Sequence, residues 1–282
     1  MTRIERFGWR NAVEPGIGRV VSAHGDYYHL VCNEAEGEIL ARKKKSAFRD
    51  PGALTPITGD FVRFRYNAQG DSLITEVLPR FSHFERRDPT ARRKAQTLAV
   101  NFDALFIMMS LNENFSIPRL ERYLALAEDM GEAKVVVVLT KKDLLESSGE
   151  RASRPFGLAE ALPALNGRDA RSPEVVQISS VTGEGLENLD AYLQPGRTVA
   201  FIGSSGVGKS TLLNTLMGEE WQATQEIQEW SGKGRHTTTS RELVMLPSGA
   251  MVIDTPGIRE IGMLGEQDDL QMKGESTHRY RK

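Results

Sequence analysis

The first 80 residues alternate between short runs of apolar, β-branched or aromatic residues and turns rich in glycine. Runs of this length and composition predict β-strands, and the turn residues mark their ends. The predicted strands cover residues 18–22, 27–31, 38–41, 60–66 and 72–77. Five short strands without a long helical period predict a small all-β barrel. An oligonucleotide-binding (OB) barrel is the commonest five-stranded form, and an SH3-like barrel is the alternative.

The pattern changes at residue 102, where longer apolar runs begin to alternate with helical periodicity. Because these runs are continuous, both faces of each strand must be covered, as in a parallel sheet between layers of helices. Ser116 is a suitable cap for the first helix. The predicted strands are 102–109, 134–139, 174–178, 198–202, 241–247 and 250–254, with further helices at about 185–193 and 209–217.

Length and pattern together predict two domains. The chain has 282 residues, and a typical domain has about 150. We expect an OB-like barrel at residues 1–83, a connector at 84–101 and an α/β domain at 102–263. Residues 146–172 form a predicted insertion, and the polar residues 264–282 form a predicted disordered tail.

Composition excludes several classes of protein. Hydrophobic residues make up 39% and charged residues 26%, as in a globular chain rather than a disordered or fibrous one. No apolar stretch approaches the ~20 residues of a membrane span, and the amino end lacks the apolar core of a signal peptide. Cys32 is the single cysteine, which excludes an internal disulfide and a multi-cysteine metal site. A cytoplasmic protein without a membrane partner is expected.

Charge is distributed unevenly along the chain. The net charge is -2, but residues 1–98 carry 17 basic and 12 acidic residues, so the rest of the chain is acidic. A basic amino-terminal domain is a candidate for contact with a phosphate backbone, and a solvated lysine-rich turn is the alternative. The candidate RNA-binding residues are Arg42, Lys43, Lys44 and Lys45.

A phosphate-binding loop follows the predicted strand 198–202 and precedes a predicted helix. Its glycines let backbone N–H groups turn towards phosphates, and the helix N-terminus adds positive potential. Lys209 is expected to bridge the β- and γ-phosphates and to be catalytic, and Ser210 is expected to bind Mg²⁺. The loop and its continuation comprise Gly203, Ser204, Ser205, Gly206, Val207, Gly208, Lys209, Ser210 and Thr211.

An Asp-x-x-Gly segment lies at the end of the last apolar strand. Asp254 is placed to reach the metal, through a water, and the N–H of Gly257 is placed to reach the γ-phosphate. Alone this pattern is weak, because many strands end in such a turn. The phosphate loop at this separation favours the functional interpretation.

The base is expected to be selected by Thr140, Lys141, Lys142 and Asp143, at the end of strand 134–139. A carboxylate at Asp143 can accept hydrogen bonds from N1–H and the N2 amino group of guanine, whereas adenine has an acceptor at N1. Ser179 and Ser180 end the next strand, where backbone groups can meet the guanine O6. GTP is therefore the predicted ligand.

These motifs stand in an unusual order, because the base-selecting segments precede the phosphate loop. Moving the chain ends to another surface loop can preserve a closed set of sheet contacts. In this order the sequence resembles the circularly permuted ribosome-assembly GTPases of the RsgA (YjeQ) family. The residues that carry the resemblance are 96–103, 140–143, 179–186, 203–214, 234–239 and 254–260. The implied fold is a permuted α/β P-loop GTPase domain preceded by a small all-β OB-like barrel.

The resemblance also implies a function. Members of the family bind the small ribosomal subunit near its decoding region and use subunit-stimulated GTP hydrolysis to time a late maturation step. On this basis we expect the chain to hydrolyse GTP to GDP and phosphate with Mg²⁺, as a monomer whose basic barrel faces ribosomal RNA.

The family suggests roles for two residues of the first switch, residues 234–239. Of the three successive threonines at residues 237–239, we expect Thr238 to be the Mg²⁺ ligand and a catalytic residue. Many GTPases place a water-positioning Gln after Asp-x-x-Gly, but Ile258 stands there in this chain and cannot hydrogen-bond. His236 is the candidate that positions water instead, and a surface histidine without a catalytic role is the alternative.

The chain departs from the family at its carboxyl end. Family members continue into a helical domain with a zinc site, whereas residues 265–282 contain no cysteine and one histidine, His278. No zinc site is expected here. Two explanations are open: the chain is truncated, or it is a reduced member of the family. Two rival functions are a nucleotide-sensing RNA-binding module with negligible hydrolysis and a P-loop kinase.

Overall fold

Five strands form the amino-terminal barrel, each ending within two residues of its predicted bounds. The computed structural model describes residues 1–49, 52–86, 96–147, 173–218 and 242–254. After a short helix α1 (Arg3–Arg6), the barrel strands are β1 (Ile17–His24), β2 (Tyr27–Cys32), β3 (Ile39–Lys43), β4 (Phe61–Arg65) and β5 (Ser72–Val77).

The barrel is closed by the strand order β1-β2-β3-β5-β4-β1. β3 and β5 run parallel, and the other pairs are antiparallel. Alternate residues point inward, so that Val20, Leu30, Val62, Phe64 and Ile74 form one buried core. This closed five-stranded barrel agrees with the OB-like barrel predicted from the sequence.

The α/β domain is a parallel sheet with one antiparallel strand. Its parallel strands lie in the order β10-β9-β8-β11-β13, and β12 is antiparallel to β13. The strands are β8 (Ala104–Ser110), β9 (Lys134–Thr140), β10 (Glu174–Gln177), β11 (Thr198–Ile202), β12 (Glu242–Met245) and β13 (Met251–Asp254).

Both faces of this sheet are covered, as the continuous apolar runs require. On one face, Leu105 and Ile107 pack with residues of α2 (Ile117–Ala127). On the other, Phe106 and Met108 pack with Leu212 of α4 (Lys209–Met217). Ser116 caps α2 as predicted, since its Oγ accepts a hydrogen bond from the Arg119 N–H at 3.4 Å. A short helix α3 spans Asp143–Ser147.

One predicted helix has a different form. The expected α-helix at about 185–193 is a single 3-10 turn at Leu186–Leu189 followed by turns, although Leu189 and Leu193 are buried as an amphipathic helix would bury them. Gly185, which has a φ of 77°, and Pro195 bound this segment. Most of its backbone hydrogen bonds join residues three apart, as from the Tyr192 N–H to the Leu189 carbonyl oxygen at 2.9 Å, which is the 3-10 pattern.

The predicted connector contains two paired strands. β6 (His83–Arg86) and β7 (Gln96–Val100) form a two-stranded antiparallel sheet. Phe84, Leu98 and Ala99 are buried in the core that also contains α2. Both strands are thus packed against the α/β sheet.

The barrel and the α/β sheet join edge to edge. Ser22 of β1 pairs with Glu242 of β12, which makes one continuous sheet of 11 strands. No helix in the described part of the chain is long and apolar enough to cross a membrane. Residues 148–172 of the predicted insertion and the predicted tail 264–282 lie outside the described residues.

Candidate nucleotide site

The phosphate loop lies between the end of β11 and the start of α4. Gly203, Gly206 and Gly208 have φ angles of 152°, 73° and 102°, which L side chains rarely adopt. A Cβ on Gly203 would also lie 2.6 Å from the carbonyl oxygen of Met108. Gly208 is the N-cap residue of α4 and offers no side chain to its first N–H groups. The loop therefore presents a helix N-terminus to an anion.

Lys209 lies within the curve of this loop. Its Nζ donates hydrogen bonds to the carbonyl oxygens of Gly203 at 2.6 Å and Ser204 at 2.7 Å. Ser210 and Thr211 follow in the first turn of α4 and are exposed. The ammonium group thus lies at the loop, and its contact with the β- and γ-phosphates stays a prediction.

Thr140 connects the base-selecting segment to the phosphate loop. It ends β9, is buried, and its Oγ1 donates a hydrogen bond to the carbonyl oxygen of Val207 at 2.6 Å. The carbonyl oxygen of Met109 lies 3.3 Å from the same hydroxyl. The sequence predicted Thr140 as a site residue, but only the structure assigns it this bridging role.

Asp143 is held in place by Ser179. The buried Ser179 Oγ donates to Asp143 Oδ1 at 2.6 Å and accepts from the N–H groups of Val181 at 3.3 Å and Thr182 at 3.1 Å. One hydroxyl therefore orients the carboxylate and also fixes the turn that follows β10. The two segments that the sequence predicted to support each other are in direct contact.

The neighbouring residues reinforce this edge of the site. Lys141 has a φ of 62°, a left-handed conformation that costs a non-glycine residue about 1–2 kcal/mol. Lys142 Nζ forms an ion pair with Glu184. The Thr215 Oγ1 of α4 lies 2.9 Å from the Thr211 carbonyl oxygen of its own helix and 3.2 Å from the Ser180 carbonyl oxygen, and its one proton is available to either. No motif in the sequence predicts a role for Glu184 or Thr215, whose contacts depend on the fold.

Three segments therefore meet at the carboxyl ends of three parallel strands, where α/β sheets bind ligands. They are residues 140–143, 179–182 and 203–211. β13 continues this edge, since Ile253 pairs with Ala200 of β11. Asp254 follows on β13, but its side chain lies outside the described residues. Gly257, His236 and Thr238 also lie outside them.

The basic surface of the barrel includes an aromatic residue, Tyr27, that no sequence motif indicated. Arg42 of β3 pairs with Tyr27 of β2 across the sheet, and its guanidinium lies 4.2 Å from the Tyr27 ring centroid. Arg42 also forms an ion pair with Asp71. Tyr27 is exposed, so this surface offers an aromatic ring next to a guanidinium group, a combination that suits contact with a nucleic-acid base.

We expect Thr140→Val to destabilise the α/β domain by about 1–3 kcal/mol, because the substitution keeps the shape and leaves the buried Val207 carbonyl without its donor. Urea unfolding measures the change. Thr75→Val is the matched control, since its hydroxyl bonds the Arg63 carbonyl at an exposed position where water can replace it. Equal stability of Thr140→Val and wild type would contradict the bridging role.

The chain is similar in sequence to known proteins over most of its length. A family model described as RsgA GTPase matches residues 77–264. The chain is 42% identical over 245 residues to "Small ribosomal subunit biogenesis GTPase RsgA 2" of Lactiplantibacillus plantarum, covering 87% of this chain and 66% of that protein. It is 36% identical over 283 residues to "Small ribosomal subunit biogenesis GTPase RsgA" of Leptospira interrogans, covering 94% of this chain and 73% of that protein. The chain thus spans about two thirds of the first relative and somewhat more of the second.

Two solved structures share the fold. YjeQ from Thermotoga maritima superposes with a TM-score of 0.60 at 25% identity, covering 87% of this chain and 76% of that one. YloQ, described as a circularly permuted GTPase, superposes with a TM-score of 0.53 at 23% identity, covering 85% and 70%. The permuted arrangement expected from the motif order is therefore confirmed at the level of the fold.

Proposed function

Since the chain belongs to the RsgA GTPase family, we propose that it hydrolyses GTP to GDP and phosphate and assists late maturation of the small ribosomal subunit, in the cytoplasm and as a monomer. The observation that carries the proposal is the meeting of Lys209, Thr140 and the Asp143–Ser179 pair at one sheet edge. This edge combines a phosphate cradle with a carboxylate suited to the guanine edge.

The chemistry requires no covalent intermediate. Water attacks the γ-phosphate in line, and the protein contributes positioning and neutralisation of charge. Lys209 compensates charge on the β- and γ-phosphates, and the loop N–H groups and the N-terminus of α4 bind phosphate oxygens. Asp143, fixed by Ser179, holds the base and thereby the whole nucleotide in register with the loop.

Mg²⁺ fits the donors at this edge. The Ser210 hydroxyl is exposed in the first turn of α4, and β13 brings Asp254 to the strand beside the loop. A hydroxyl, a carboxylate acting through water and phosphate oxygens suit an ion that retains several waters. Ser210, Asp254 and Thr238 would hold the ion, which supplies charge neutralisation at the phosphates.

His236 is proposed to position the attacking water. The support is chemical, because Ile258 occupies the position where many GTPases place Gln and has no hydrogen-bonding group. Slow hydrolysis by the free protein follows, with acceleration when a partner orders the switch.

The proposed function is tested by phosphate release from GTP with and without small ribosomal subunits. We expect slow release from the free protein and at least about tenfold faster release at saturating subunits. His236→Ala should lose most of the acceleration, and unchanged acceleration would remove His236 from the mechanism. Nucleotide binding without phosphate release under either condition would favour the nucleotide-sensing module. Transfer of the γ-phosphate to another acceptor would favour a kinase.

Contact with ribosomal RNA is proposed for the surface of Arg42, Lys43, Lys44 and Lys45. Lys44→Ala with Lys45→Ala should weaken subunit binding and lower the slope of log affinity against log salt by about 1.5. The measurement compares binding between about 50 and 200 mM salt. The control is Arg122→Ala with Lys134→Ala, which removes two charges from the α/β domain. An equal loss in the control would show a general charge effect rather than a barrel surface.

A further inference from the structure

Arg19 is a fully buried cation at the junction of the barrel and the α/β domain. It belongs to barrel strand β1, yet its guanidinium reaches groups in both domains and in the segment between them. Nη1 donates to the Phe7 carbonyl oxygen at 2.6 Å and to Thr198 Oγ1 at 2.9 Å, and Nη2 donates to the Asn101 carbonyl oxygen at 2.8 Å. Nε lies 3.4 Å from the Gly59 carbonyl oxygen.

All the hydrogen-bond acceptors of Arg19 are neutral, so no directly bonded carboxylate compensates for the loss of hydration of its charge. The guanidinium lies 4.8 Å from the Phe61 ring centroid. Burial lowers the pKa of Arg19 to about 9, while the charges of Asp103 and Asp60 act in the opposite direction. The group is thus charged at neutral pH and removed from water, so its hydrogen bonds must compensate for the loss of hydration. An apolar side chain of similar volume would avoid that loss of hydration but would leave the Phe7 and Asn101 carbonyl oxygens without this donor.

Two of the groups around Arg19 begin the strands that lead to the phosphate-binding edge. Thr198 is the first residue of β11, which runs directly into the loop at Gly203. Met251 is the first residue of β13, pairs with Thr198, and has its Sδ 3.6 Å from Arg19 Nη1. One guanidinium therefore fixes both strands at their amino ends, about 17 Å from the nucleotide edge for a five-residue strand.

The same barrel strand contacts the α/β sheet a second time. Ser22, three residues after Arg19, pairs with Glu242, the first residue of β12. On its barrel side β1 pairs with β2, which pairs with β3, the strand that carries Arg42 and Lys43. β1 is thus packed between the proposed RNA surface and the strands that position the nucleotide.

We propose that Arg19 is a positioning residue. It couples RNA binding at the barrel surface of Arg42, Lys43, Lys44 and Lys45 to nucleotide binding at the phosphate loop. This inference rests on the proposed function. RNA contact on β2 and β3 shifts β1, and Arg19 transmits the shift to β11 and β13 through Thr198 and Met251. Because coupling is reciprocal, GTP must then change the affinity for the subunit by the same factor.

The test measures a ratio of affinities rather than activity. The dissociation constant of a non-hydrolysable GTP analogue is measured with and without saturating small ribosomal subunits. We expect a ratio of about 5 to 100 for the wild type. Arg19→Met should reduce the ratio towards 1 while the affinity of the free protein for the analogue changes less than threefold. A residue that only stabilised the fold would lower the melting temperature and leave the ratio unchanged.

Two further variants keep the result decisive. Thr198→Val preserves shape and removes only the hydroxyl that accepts from Arg19, so it should lower the ratio at least twofold even if Arg19→Met fails to fold. Arg63→Met is the control, because Arg63 is an exposed barrel arginine that pairs with Glu14 and Glu76. A wild-type ratio in both Arg19→Met and Thr198→Val would overturn the coupling role.

The outcomes also separate this inference from the proposed function. A wild-type ratio of 1, with GTP hydrolysis and subunit binding both present, would overturn the coupling and leave the proposed function standing. Absence of GTP binding by the wild type would overturn both.

Discussion

Asp143→Asn is expected to weaken GTP binding about 100-fold and to create affinity for xanthosine triphosphate. The Asn amide keeps one oxygen, which can still accept the Ser179 Oγ hydrogen bond seen at 2.6 Å, and replaces the other acceptor with an N–H donor. Guanine then presents its N2 amino group to a donor, with the loss of a charge-assisted hydrogen bond of about 1.5–3 kcal/mol. Xanthine has a carbonyl at C2, which can accept from the new amide.

The expected change of preference from GTP to xanthosine triphosphate makes this prediction specific to the contact between Asp143 and the base. Titration calorimetry with GTP, ATP and xanthosine triphosphate measures the three affinities in wild type and variant. Asp190→Asn is the control, because Asp190 is an exposed carboxylate outside the site. A wild type that binds ATP as tightly as GTP would contradict the role of Asp143, and so would a variant that retains its preference for GTP.

Lys209→Ala is expected to reduce the rate of GTP hydrolysis by about 100- to 1,000-fold, the effect of removing one donor aimed at developing charge. The affinity for GTP should fall in parallel, because the ammonium group is expected to contact the β- and γ-phosphates. The affinity for GMP should change little, since GMP has neither phosphate. Hydrolysis is measured by phosphate release, and both affinities are measured by competition with a fluorescent guanine nucleotide.

A structural effect of Lys209→Ala is distinguishable from a chemical one. In the structure Nζ also holds the carbonyl oxygens of Gly203 and Ser204, so its loss could loosen the loop. A loosened loop would weaken GMP and GTP binding alike, whereas a lost phosphate contact weakens GTP binding selectively. Lys134→Ala is the control, because Lys134 begins β9 at the opposite edge of the sheet. Its activity should stay within twofold of the wild type.

The sequence could predict the strands and the phosphate loop because their signals are local. Five barrel strands and six strands of the α/β sheet follow from runs of apolar residues, and Gly203 to Ser210 combine a motif with its strand and helix context. The helix predicted near residues 185–193 was wrong in form, since hydrophobic spacing alone does not distinguish a 3-10 turn with buried leucines from an α-helix.

The pairing of β6 with β7 was missed for a different reason. Residues 81–97 are rich in charge, and the charged positions concealed Phe84 and Leu98, which are buried against the α/β sheet. Whether a short apolar run forms a strand depends on the partner that it pairs with. That partner lies beyond a segment of charged residues, outside any local window.

The sequence by itself determined which residue types could bind a guanine nucleotide, because loop glycines, a lysine and a carboxylate carry that chemistry wherever they fold. Only the tertiary structure decided that Thr140 bonds Val207, that Ser179 orients Asp143, and that Arg19 bonds Thr198, 179 positions along the chain. Such contacts join residues that are distant in sequence, and no periodicity or spacing encodes the partner of a buried donor. The packing of the strands fixes that partner.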